Sequence, residues 1–175
     1  MTLCVVLALV ATAGCGGKKT TTIGGTSVTT SDDDKTTTIS GSGGSVTVGD
    51  KAVDLSKLGA PVYPGATQDA DGGSVSVTTS EATTSTAVLK STDPFDKVYD
   101  FYKAQMPAGS EKLKMSSGGS STAMFQVGDS DAKETVAVTI SAKDGEPTTI
   151  SINHAVKNGS AAAPSSAPSP GPSAS

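Results

Sequence analysis

Hydrophobic positions along this chain change their period on either side of one short segment. Between Asp93 and Met106, Phe95, Val98, Tyr99, Tyr102 and Met106 fall at the three- and four-residue spacings that line one side of an α-helix. Asp93 is placed to accept the free amides of the first turn, Pro94 gives up a hydrogen that has no partner there, and Pro107 and Gly109 end the run. Four of the six aromatic rings, Phe95, Tyr99, Phe101 and Tyr102, lie in this segment. A helix of about 13 residues, roughly 20 Å, is marginal alone and needs a sheet to lie on. Phe101 points about 100° away from the apolar stripe. The buried face is expected to be wide enough to take it, because a chain with few large side chains uses every ring it has.

Elsewhere the period is two. Ser74-Val75-Ser76-Val77-Thr78 alternates, and Thr86-Ala87-Val88-Leu89-Lys90 leads as a strand into the helix. After Pro107, Lys112 to Met115 alternates. Ala123, Phe125 and Val127 share a face, as do Val136, Val138 and Ile140, and then Ile150 and Ile152. Gly118-Gly119, Gly128-Asp129 and Asp144-Gly145-Glu146-Pro147 punctuate these runs, and the short Asp144-Gly145 link predicts an antiparallel hairpin. The fold class expected is α+β: one amphipathic helix packed on a small, mainly antiparallel sheet, within residues 50–157.

The two ends read differently. Residues 15–49 are rich in Thr, Ser and Gly, with too few apolar residues to fill a core, and are expected to form a disordered spacer. The alternative is a weak hairpin turned by Asp32-Asp33-Asp34-Lys35 between Val28-Thr29-Thr30 and Thr36-Thr37-Thr38. Those Asp residues lack the spaced oxygen ligands and closing Glu of a calcium loop. Residues 158–175 hold Ala, Pro, Ser and Gly without charge, the composition of a disordered tail. At the other end an apolar run from Leu3 to Ala13 is too short to span a bilayer but suits an export signal, residues 1–14.

Composition narrows the function classes. All thirteen basic residues are Lys, the net charge is -4 and the pI about 4.8, so nothing here suits a nucleic-acid backbone or the forked contacts that read guanine. Cys4 lies in the signal segment, which leaves Cys15 alone and no internal disulfide.

Ala11-Thr12-Ala13-Gly14-Cys15-Gly16 resembles the lipobox of bacterial lipoproteins, with Thr12 where that pattern prefers Leu and no basic residue near Met1. The resemblance implies cleavage before Cys15, lipidation of Cys15, and a membrane-anchored place in the bacterial cell envelope facing the periplasm or exterior. A second resemblance joins Tyr63-Pro64-Gly65-Ala66 to Val98-x-x-Phe101-Tyr102. This pair is similar to a group of uncharacterised exported bacterial proteins, and implies a small α+β domain without importing any catalytic residue.

Candidate chemistry is sparse. His154 is the only histidine, which makes neither a triad nor a zinc set. Asp96 and Asp100 share a helix face, and Asp93, Asp129, Asp131 and Glu134 add carboxylates, but their spacing suits solvated charge. The glycine pairs lack the phosphate-loop patterns. The reading is a membrane-tethered envelope lipoprotein carrying a non-enzymatic binding or structural domain. It has no catalytic, cofactor or metal residue, Cys15 is its lipid site, and the lipid bilayer and an envelope protein are its partners. An exported hydrolase using a carboxylate cluster is the alternative.

Overall fold

A computed structural model describes residues 17–32, 35–69 and 73–158. The signal segment 1–14, Cys15 and the tail from residue 159 onward lie outside the described residues. In chain order the elements are β1 (Lys18–Ile23), β2 (Thr26–Ser31), β3 (Thr36–Gly41), β4 (Gly44–Gly49), a 3₁₀ turn (Leu55–Lys57) and β5 (Thr67–Gln68). They continue with β6 (Ser74–Thr79), β7 (Ala82–Ser91), α1 (Phe95–Gln105), β8 (Glu111–Ser117), β9 (Ser120–Val127), β10 (Glu134–Lys143) and β11 (Thr148–Lys157). The fold is α+β, one amphipathic helix on an antiparallel sheet ordered β1-β2-β3-β4-β6-β7-β11-β10-β9-β8, with β5 paired to the end of β7.

The core occupies only one half of this sheet. Ala87 and Leu89 of β7, Ile150 and Ile152 of β11, Val138 and Ile140 of β10, and Ala123 and Phe125 of β9 meet across strands and are all nearly or fully buried. Above them α1 lays Phe95, Val98, Tyr99 and Tyr102, the residues its 3.6-residue period set on one face. Phe101 packs at the margin of the same cluster, edge-on to Tyr102 and to Tyr63 at 5.2 Å each, so the buried face is wide. Val53, Leu58 and Tyr63, from the segment between β4 and β5, close the open side of the helix. On β9 the expected face holds for Ala123 and Phe125, whereas Val127 at its end is exposed.

Three expectations are corrected. Residues 18–49 are not a spacer but four strands that continue the sheet, and the folded unit therefore begins well before Asp50. The hairpin alternative is realised: Thr29 opposes Thr38 and Thr30 opposes Thr37. Backbone pairing and β-branched residues hold these strands, since cross-strand Thr pairs supply hydroxyl contacts where a core is missing, as between Thr38 and Thr47 at 3.0 Å. The sheet is accordingly large, with eleven strands among the described residues. Third, Asp93 does not cap α1. Pro94 is the cap residue, in extended conformation without a side-chain bond, and its carbonyl accepts from Lys97 and Val98.

Strand register shows that the sheet changes its apolar side. In the core half, the apolar residues point toward α1. Across β2, β3, β4 and β6 the helix-side row is Thr29, Thr38, Thr47 and Ser76, and the opposite row is Val28, Ile39, Val46 and Val77. The switch falls between β6 and β7, where Val75 opposes Thr86 while buried Ser74 opposes Ala87.

Candidate functional site

A cluster of linked polar groups lies where the loop before β5 meets the entry to α1. Tyr63-Pro64-Gly65-Ala66 forms a turn closed by the Ala66 amide donating to the Tyr63 carbonyl at 3.1 Å. Pro64 takes the position that wants a fixed φ, and Gly65 the next, at φ 78°, which a side chain would strain. Thr67 and Gln68 then pair with Lys90 and Leu89, and this brings the turn beside the chain leaving β7.

There Asp93 is held at every polar group it has. Its amide donates to the Ser91 hydroxyl at 3.1 Å, and its carbonyl accepts from the Thr148 hydroxyl at 2.7 Å. The Tyr63 hydroxyl donates to Oδ2 at 2.7 Å, and the Lys97 ammonium to Oδ1 at 3.0 Å. Ser91 and Thr148, opposed in the β7–β11 register, are buried polar residues whose bonds to Asp93 repay their desolvation. The bonds from Tyr63 and then Lys97 hold the Asp93 carboxyl below its usual range. The same bond to Asp93 is the main cause that pushes the Tyr63 phenol up to about 12.

Tyr63, Pro64, Asp93, Lys97 and Phe101 line a shallow groove of about 320 Å³. One wall is apolar, Pro64 and the Phe101 ring. The other carries a carboxylate whose two oxygens are occupied and an ammonium with a largely exposed side chain. Such a surface can bind, and its one hydroxyl beside a carboxylate, Tyr63 on Asp93, has its phenol pushed up rather than activated.

A second open cleft, of about 340 Å³, lies around the N-terminal end of α1, with Asp93, Asp96, Asp144 and Glu146 on its rim. Glu146 is paired with Lys143 at 3.3 Å, and among the described residues no three His, Cys, Asp or Glu side chains are grouped to hold a metal.

The remaining sequence candidates are dispersed. Asp96 faces solvent, 3.9 Å from Lys114, and Asp100 is exposed. Asp129 caps its own turn through the amides of Asp131 and Ala132. His154 bonds Glu134 at 2.8 Å on the helix side of the sheet, past the end of the core. The acidic side chains that share a cleft are those on its rim, Asp93, Asp96, Asp144 and Glu146, of which Asp93 is bonded to Tyr63 and Lys97 and Glu146 is paired with Lys143. Cys15 lies outside the described residues. The groove residues Tyr63 and Lys97 were not marked as functional by sequence, although both resemblance segments turn out to supply groove walls, Tyr63 and Pro64 from one and Phe101 from the other.

Comparison with curated proteins gives no match, and comparison with solved structures gives none. A family model described as START domain-like matches residues 66–153, from the end of the Tyr63 turn through α1 to the middle of β11. That is half of the chain, and it takes in the whole helix, the core strands β7, β9 and β10 and the first part of β11: the chain belongs to the START domain-like family.

Proposed function

We propose that this protein is a membrane-tethered envelope lipoprotein whose START domain-like unit is a non-enzymatic binding domain. The observation that carries the binding role is the groove of Tyr63, Pro64, Asp93, Lys97 and Phe101. Its polar groups are fixed before any ligand arrives, so little ordering cost remains to be met on binding. An amphipathic ligand or peptide segment suits it, an apolar part against Pro64 and Phe101 and an anionic group at Lys97.

The tether rests on the Leu3–Ala13 apolar run and on Gly14-Cys15-Gly16. Two or more acyl chains on Cys15 would make the attachment stable, since each buried CH₂ contributes about 0.8 kcal/mol. No helix among the described residues is long and apolar enough to cross a membrane. Labelled palmitate should enter the parent protein and not Cys15→Ser; equal labelling removes the tether. A photo-crosslinking residue in place of Lys97 should capture a discrete adduct in cells, and one in place of Asn153, on the sheet face away from α1, should not. Identical patterns from the two positions would remove the groove as the binding site.

A further inference from the structure

Across β2, β3, β4 and β6, the sheet face turned away from α1 carries Val28, Ile39, Val46 and Val77 in one cross-strand row, with Val48 and Val75 in the next. Among the described residues no helix or second sheet packs over them. Val28 is 37 %, Ile39 46 % and Val48 45 % exposed. The reverse side of the same strands is hydroxyl-bearing, including Thr29, Thr38, Thr47 and Ser76. Apolar residues on one side and hydroxyls on the other make half of a β-sandwich, a sheet whose apolar face is normally closed by a second sheet about 10 Å away.

We propose that this face is closed by the same face of a second copy of the chain. Charge selects the partner. Among the strand residues of this face in β1 to β4 and β6, Lys19 on the edge strand is the one charged side chain. There is thus no acidic or basic patch to draw a charged protein, and no cluster of cations with aromatic rings to seat the face in lipid headgroups.

A β-branched surface whose one charge sits on its edge strand is complementary to itself. A two-fold axis along β3, the middle strand of the five, sets Ile39 against its own copy and β2 over β4 of the other chain, while Lys19 stays at the rim. The five strands at about 4.8 Å spacing and six residues at about 3.3 Å rise give each copy roughly 480 Å² of flat face. Two such faces bury close to the ~1,000 Å² that a specific interface must clear, so the dimer expected is a reversible one.

The test uses the full chain with Cys4→Ser and Cys15→Ser, carrying either Ile39→Cys on the apolar face or Thr38→Cys on the hydroxyl face. A short bismaleimide should yield a species of doubled mass from Ile39→Cys and little from Thr38→Cys. Equal yields from both sites would mean association through strand edges, and no yield from either would mean that the face stays open; each overturns the proposal. In sedimentation, the triple variant Val28→Thr, Ile39→Thr, Val48→Thr should keep the parent's circular dichroism and weaken self-association by about tenfold or more. A parent that is monomeric at every concentration but binds neutral lipid vesicles, with the triple variant losing the vesicles, would assign the face to a bilayer and overturn the dimer.

Discussion

The Tyr63 hydroxyl donates to the Asp93 carboxylate at 2.7 Å across thirty residues of sequence, and it does so where a helix cap was expected. The two carboxylate oxygens of Asp93 go to the Tyr63 phenol and the Lys97 ammonium, and α1 is capped by Pro94 instead. Ser91 and Thr148 hold the Asp93 backbone from both sides in the position from which its side chain meets that phenol. Tyr63→Phe keeps the ring against Phe101 and removes only the donor. It should lower stability, and by less than the loss of a fully buried bond to a charged group, since this one is part-exposed. Urea unfolding reads it; an unchanged midpoint would show the bond to be energetically idle.

The same pair sets a pH dependence with a definite sign. Asp93 titrates below its usual 3.8 in the folded chain, so the stability it supplies is fully present above that value and is lost as pH falls through the lowered folded pKa. The stability gap between the parent and Asp93→Asn should therefore be constant from neutral pH to about 4 and close below it. Tyr63 behaves oppositely. Its phenol is raised from 10.0 to about 12, so its contribution holds below pH 10 and disappears as pH rises through 12. Absorbance titration of tyrosinate should lose its step near 12 in Tyr63→Phe, and persistence of that step would assign it elsewhere.

The helix and the strands beneath it were legible because each put its apolar residues on one face at the period of its own geometry, Phe95 to Tyr102 at 3.6 and Val136 to Ile140 at two. The N-terminal strands were not. In β1 to β4 single Val and Ile residues alternate with Thr and Ser, and a reader looking for a core finds too little to bury. The signal that could have found them is spacing: Thr20 meets Thr29 and Thr38 meets Thr47, each nine residues on, the repeat of a strand, a tight turn and a strand. Asp93 as a bridge to Tyr63 had no local signature at all, since its partner comes from a distant turn. The hydroxyl of Lys97's neighbour in the groove became visible only once β5 had docked that turn beside β7.

Tyr102 separates the value of a ring from that of its hydroxyl. The ring is fully buried between Phe101 and Phe125, and the hydroxyl lies near the Tyr63 backbone without a well-formed bond. Burial pushes its phenol well above the ordinary tyrosine value. Tyr102→Ala should leave a cavity and cost about 3–5 kcal/mol, a large share of the stability of a domain this size. Tyr102→Phe removes a polar atom that nothing repays, and should be neutral or stabilising by up to about 1 kcal/mol. Thermal melts of the two variants test this. A Tyr102→Phe variant that loses stability would mean that the hydroxyl has a partner in solution.

Stability should also be unevenly divided along the sheet. The strands β7, β9, β10 and β11 carry the core, whereas β1 is exposed along its whole length and, among the described residues, the main contacts of β1 to β3 are with their neighbours in the sheet. Local opening costs the contacts that are broken, and strands without buried side chains lose only backbone bonds that water replaces. Amides of β1 to β3 should exchange with solvent far faster than those of β10 and β11, with β6 between them. A chain lacking residues 1–43 should still unfold cooperatively, because its core is intact, but with a smaller urea m-value, since less surface is exposed on unfolding. Uniform exchange protection from β1 to β11 in dilute solution would show that the N-terminal strands are part of the same cooperative unit as the core.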